Sequence, residues 1–120
     1  TDAPPVTPEL PSAGFVSQYE LVNGEPWLVT TFGDAEVWAG HNQTGWIAST
    51  WWQLWPGIEF LFNDVWYRVV DYVPDAEPTD VLLMYRTDIE FDLLLITCRT
   101  YDEANNVWLN RLLVYAKRSQ

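Results

Sequence analysis

Leu93-Leu94-Leu95-Ile96-Thr97-Cys98 is a strand-sized run with no polar alternation, bounded by the acidic stretch 87–92 and by the polar pair Arg99-Thr100. A half-buried strand alternates and an amphipathic helix repeats every three to four residues; this run does neither, so it reads as a strand buried on both faces. Its surroundings follow. Residues 107–116 alternate, which puts Val107, Leu109, Arg111, Leu113 and Tyr115 on one face of a strand that returns after a turn at 102–106. Residues 81–85 read as another strand and 74–80 as a polar loop. Asn63-Asp64 is a tight-turn signal between the β-formers of 58–62 and 65–73, and Asn23-Gly24 offers a second hairpin between 15–22 and 27–32, blunted by Pro26. The one helix candidate is 46–55, where Ile47, Trp51, Leu54 and Trp55 recur before Pro56-Gly57 stops the run. The expected fold class is mostly β, with one or two short helices.

Four prolines in residues 1–11 favour an extended tether, leaving 12–120 as the folded unit; 120 residues hold one domain. With 48% hydrophobic and 16% aromatic residues the chain has ample material for a core. Six Lys and Arg against 17 Asp and Glu give a net charge of -11, and all six cations lie from Arg68 onward. Counterion-release binding to nucleic acid therefore has no electrostatic basis, and basic or neutral partners are favoured. No apolar run approaches the length of a membrane-spanning helix.

Three residues stand out chemically. Cys98 is the only cysteine, so an internal disulfide and a multi-cysteine zinc site are excluded. It ends a buried strand, where a thiol is held rigid and can be presented at the sheet edge as a nucleophile; a lone cysteine is also commonly a small core hydrophobe. His41, the only histidine, follows the strand-like run 36–40 and opens a polar loop, where an imidazole can serve as acid or base or simply be a loop residue. Arg111 sits among apolar neighbours and needs either a partner or a site that uses its charge, unless its stem merely snorkels along the fold.

Local motifs tie the three together. The run ending Ile96-Thr97-Cys98, followed by Tyr101, Glu103, Val107, Trp108 and Arg111, resembles the signature strand of the sortases, in which the nucleophilic cysteine ends a Thr-Leu-x-Thr-Cys run and the arginine follows on the next strand. Leu94 stands where that family usually has Thr. Ala39-Gly40-His41 is similar to the family's Ala-Gly-His element, Leu54 with Gly57-Ile58 to its Leu-x-x-Gly stretch, and Pro78-Thr79-Asp80-Val81 to a run that precedes its substrate loop. The interval of 13 residues from Cys98 to Arg111 fits class A members. The likeness covers roughly residues 41–117; residues 1–38 match poorly.

The resemblance implies a closed, eight-stranded, sortase-type β-barrel and a cysteine transpeptidase with His41, Cys98 and Arg111 as its catalytic residues. It implies cleavage between Thr and Gly of a Leu-Pro-x-Thr-Gly-like sorting signal on secreted proteins. The acyl group would pass to an amine, from a cell-wall precursor or a pilin lysine. Ala39, Pro78, Val81, Leu83, Ile96 and Thr97 would line the substrate groove, although ordinary barrel core accounts for such residues equally well. The expected location is extracytoplasmic, at the cell surface, tethered to the membrane through a segment preceding Thr1. No cofactor is expected. Some sortases use calcium, and in the acidic turn 87–92 Asp88, Glu90 and Asp92 alternate so as to place carboxylates on one side, which chance also supplies in a chain this acidic. Trp46, Trp51, Trp52 and Trp55 either cover the active site or cap the barrel. Two competing functions are a hydrolytic cysteine peptidase with the same triad and a non-catalytic β-barrel binding module.

Overall fold

A computed structural model describes residues 26–40, 47–77, 79–98, 101–102, 104–105, 107–108 and 110–119. Among these residues eight strands form in chain order: β1 (Trp27–Phe32), β2 (Ala35–Gly40), β3 (Glu59–Phe62), β4 (Val65–Ala76), β5 (Leu93–Cys98), β6 (Tyr101–Asp102), β7 (Val107–Trp108) and β8 (Arg111–Arg118). Two 3₁₀ helices, Ile47–Gln53 and Val81–Tyr85, interrupt them, and there is no α-helix among the described residues. Six strands make one curled sheet in the order β1-β2-β5-β8-β4-β3, while β6 and β7 pair as a separate ribbon. The class is mostly β, as the sequence predicts. The sheet curls into a half-barrel and, among the described residues, does not close, since β1 and β3 are its outer strands.

The run that decides the fold lies at the centre. β5 is flanked by β2, in parallel, and by β8, antiparallel, and all six of its residues are buried. Leu94 and Ile96 face one core with Val37, Ala39, Leu113 and Tyr115. Leu93 and Leu95 face another with Trp51, Tyr67, Val69, Leu112 and Val114. Each such leucine contributes roughly 1.5–3 kcal/mol by leaving water, which explains why no polar residue interrupts the run before Thr97.

Asn63 and Asp64 both have positive φ, 55° and 68°, as a two-residue hairpin of matching twist requires, and they join β3 to β4. A second two-residue turn at Gly33-Asp34, with Gly33 alone at positive φ, 63°, joins β1 to β2; its Gly-Asp pair is a hairpin signal of a different kind from Asn-Gly. The Asn23-Gly24 hairpin and the 1–11 tether lie outside the described residues.

Three expectations are corrected. Residues 81–85 form a 3₁₀ helix, not a strand: Leu83 N–H donates to the Asp80 carbonyl at 3.1 Å, and the adjacent Leu83 and Met84 both turn toward the sheet, which a strand's two-residue alternation forbids. The polar loop begins later than Pro74, because β4 runs on to Ala76; the pairing with β8 shifts register between Val73 and Ala76, and that irregularity accommodates a residue with no N–H to donate. The single strand expected over 107–116 is two, with β7 pairing β6 and β8 starting afresh at Arg111. The helix candidate at 46–55 is present as the 3₁₀ helix Ile47–Gln53.

Candidate active site

Cys98 is the last residue of β5 and Arg111 the first of β8, and the two are direct partners across the antiparallel ladder. Facing residues of such a pair project to the same side. Strand alternation puts Cys98 on the side of Leu94 and Ile96, and Arg111 on the side of Leu113 and Tyr115. Both are buried, Cys98 at 1% and Arg111 at 3% exposure, so the thiol is not presented at an open sheet edge as expected. Arg111 Nη1 donates to the Asn110 carbonyl at 3.3 Å, and both residues of the pair have further interactions.

On the other side of β5, the parallel ladder sets Ala39 beside Ile96 and Gly40 beside Thr97. The next residues in sequence are His41 and Cys98. His41 lies outside the described residues, as does Pro78. Ala39 and Ile96 are fully buried in one core, with Leu83 packed against it from the second 3₁₀ helix. Val81 opens that helix. Thr97 projects away from the side shared by Cys98 and Ile96, and its hydroxyl donates to the Gly40 carbonyl at 2.8 Å. Of the expected groove residues, then, Ala39, Ile96 and Leu83 come together, while Thr97 serves the backbone of β2.

Trp51 packs into the core behind Leu93 and Leu95, on the face opposite Cys98, where it caps the sheet. Trp52 and Trp55 are exposed, and Trp55 lies against Tyr72 with ring centroids 4.6 Å apart. Trp46 is outside the described residues.

Arg86 is a centre that sequence reading misses. Its Nη1 donates to Asp71 Oδ2 at 2.6 Å, and its Nε and Nη2 donate to Asp88 at 2.9 and 2.7 Å. The guanidinium carbon lies 4.8 Å from the centroid of the Tyr115 ring. Tyr115 donates its hydroxyl to the Leu83 carbonyl at 2.6 Å. The second 3₁₀ helix is thereby fastened to β4 and β8. The two carboxylates hold the Arg86 guanidinium well above its ordinary pKa against the opposing effect of burial, and burial pushes the Tyr115 phenol up to about 12. An open cavity of about 720 Å³ adjoins this centre, walled by Val73, Leu82 and Leu83 and edged by Asp71, Asp80 and Asp88. Tyr115, under the Arg86 guanidinium, sits four residues along β8 from Arg111, about 13 Å at ~3.3 Å per residue.

The alternating carboxylates do not converge on a cation. Asp88 pairs with Arg86, Glu90 with Lys117 at 2.9 Å, and Asp92 accepts from the Arg118 backbone N–H at 2.8 Å. They lie on an irregular segment, as an acidic turn implies, and alternation in the sequence does not align them there. Among the described residues no group of three or more His, Cys, Asp or Glu could hold a metal ion.

No protein-family model matches the chain, and no curated protein matches it at a significant level.

Proposed function

We propose that the chain is a sortase-type cysteine transpeptidase. The observation that carries this reading is the pairing of Cys98 with Arg111 at the matched ends of two central strands. The parallel neighbour β2 gives it support, because that strand ends one residue before His41. In this reading the Cys98 thiolate attacks the Thr carbonyl carbon of a Leu-Pro-x-Thr-Gly-like signal, forming the S–C bond of a tetrahedral intermediate. The Arg111 fork donates to the developing oxyanion or to neighbouring substrate carbonyls, a task suited to a permanent, planar cation. His41 as imidazolium gives its proton to the leaving Gly amine as the C–N bond breaks, which leaves a thioester on Cys98. Neutral His41 then takes a proton from an incoming amine, which attacks the thioester, and the thiolate departs.

The same reading takes the curled sheet as part of a closed barrel, the substrates as secreted proteins bearing the signal, and the acceptor as a cell-wall precursor or pilin lysine. The enzyme would work outside the cytoplasm at the cell surface, tethered to the membrane. Leu83, with Ala39 and Ile96 beneath it, would floor the groove for the apolar end of the signal.

The burial of Cys98 favours a second reading, a non-catalytic β-barrel module in which the thiol is core. Mass spectrometry of the protein with a library of Leu-Pro-x-Thr-Gly-like peptides and an amine separates the two. A peptide-amine product is expected, with a peptide thioester on Cys98 as its precursor. Cleaved acid without amine product would indicate a hydrolase, and no cleavage at any peptide would sink the enzymatic reading.

A further inference from the structure

Thr97 is buried at 3% exposure between two fully buried neighbours, in a strand whose other positions before Cys98 are all aliphatic. A valine would fill the same shape. A hydroxyl taken out of water in such a place needs a partner, and the partner here is the Gly40 carbonyl at 2.8 Å. This bond crosses from β5 to β2 at the last residue of β2 and the penultimate residue of β5. Strand ends are where a ladder frays, and Gly40 has no side chain with which to anchor its own end. The residues that follow the two bonded ones are His41 and Cys98.

We propose that Thr97 is a positioning residue: its hydroxyl, bound to the Gly40 carbonyl, sets the end of the nucleophile's strand against the end of the strand that leads to the general acid–base. This deepens the transpeptidase reading and rests on it. In this role Thr97 acts through the backbone of β2. A displacement of about 1 Å between reacting groups costs as much as 100-fold in rate, so the bond should matter for turnover far more than for peptide affinity.

The test compares Thr97→Val, Thr97→Ser and Thr97→Ala in cleavage of the best peptide, with kcat and KM resolved and kcat/KM followed across pH. Serine and alanine both lose the γ-methyl and differ by the hydroxyl alone, so their ratio isolates the bond from the packing even where valine folds poorly. The expected result is a 10- to 100-fold lower kcat for Val and Ala, little change in KM, an altered pH profile, and recovery in Ser to within a few-fold of wild type. Equal kcat and superimposable pH profiles for Ser and Ala, in a protein whose wild type turns over, would overturn the positioning role and leave the transpeptidase reading intact. A wild type that cleaves no peptide would overturn that reading, and the positioning role with it.

Discussion

Cys98 and Arg111 face one another as the terminal residues of β5 and β8, so the strand pairing that builds the core also sets their backbones side by side with both side chains on one face. The packing belongs to the leucines before Cys98 and after Arg111. Cys98→Ala should therefore abolish peptide cleavage while the thermal unfolding transition stays cooperative; cleavage above background would remove Cys98 as the nucleophile. Arg111→Lys should be nearly as damaging as Arg111→Ala, because an ammonium keeps the charge and loses the fork. Recovery of most activity in the lysine variant would make Arg111 a point charge in place of a clamp.

Leu95 lies between Trp38 of β2 and Val114 of β8 in the central three strands and is fully buried. Its truncation removes transfer energy and leaves a cavity among Trp51, Tyr67 and Val69, which cannot collapse without moving the sheet. Leu95→Ala should cost about 2–5 kcal/mol in urea unfolding. Leu82, 79% exposed, is the control, and its alanine variant should stay within about 0.5 kcal/mol of wild type.

What was legible in the sequence was what local chemistry alone decides. An unalternating Leu93-Leu94-Leu95-Ile96 run can satisfy its side chains only in the middle of a sheet, and Asn63-Asp64 tolerates the positive φ that its hairpin needs. Residues 81–85 deceived because a short, unbroken apolar run beside a polar loop is strand-sized and carries no periodicity to decide it, while the segment's conformation is set by what it lands on. Arg86 could not be read at all. Its partners Asp71 and Tyr115 are distant in sequence and meet it only because β4 pairs with β8 at those positions. The Cys98–Arg111 pair was half legible: the motif gave the residue types, and tertiary packing alone decided that the thiol would be buried.

Arg86 is itself 16% exposed along its side chain and joins a carboxylate on β4 to one in the segment that follows the second 3₁₀ helix. The Asp88 arm is well exposed and contributes little; the Asp71 arm and the Tyr115 face are less wet, so most of the stabilisation resides there. Arg86→Lys reaches one carboxylate at a time and should cost about 1–2 kcal/mol. Hydrogen exchange at residues 79–88 should accelerate more than exchange in β5. Uniform acceleration across both would show that Arg86 stabilises the domain as a whole and not the segment.

Tyr115 gives the stability profile a defined alkaline edge. Burial raises its folded-state pKa to about 12 from an ordinary value near 10. Above the ordinary value the unfolded chain gives up the phenolic proton while the native one retains it, so the unfolded state gains from rising pH and the native state does not. The contribution is fully present below about pH 10 and is lost as pH climbs through about 12. Tyr67, also raised by burial, and Lys117, raised by Glu90, add losses of the same sign. Tyr115→Phe should be less stable at neutral pH, having lost the bond to Leu83, and should fall less steeply between pH 10 and 12. Parallel slopes in urea titrations of the two proteins would assign the alkaline edge elsewhere.

The charge distribution bears on which peptides arrive. Net charge is -11, and four of the six cations, Arg68, Arg86, Lys117 and Arg118, are each paired with a carboxylate. Pairing of this kind removes local cationic patches and leaves a field of one sign over most of the surface. Such a field raises the encounter rate of oppositely charged ligands and loses its reach as the screening length falls from about 30 Å at 0.01 M salt to about 8 Å at 0.15 M. At low salt, kcat/KM for a sorting-signal peptide with basic flanks should exceed that for the same core with acidic flanks by about tenfold or more. The gap should close as salt rises, through a fall for the basic peptide and a rise for the acidic one, while kcat at saturation stays level because encounter no longer limits. A preference that survives high salt would mean a direct contact with the flank, for which the carboxylates of Asp80 and Asp88 at the rim of the cavity beside Leu83 are the nearest candidates; no preference at either salt would mean that the field does not extend to the mouth of the site.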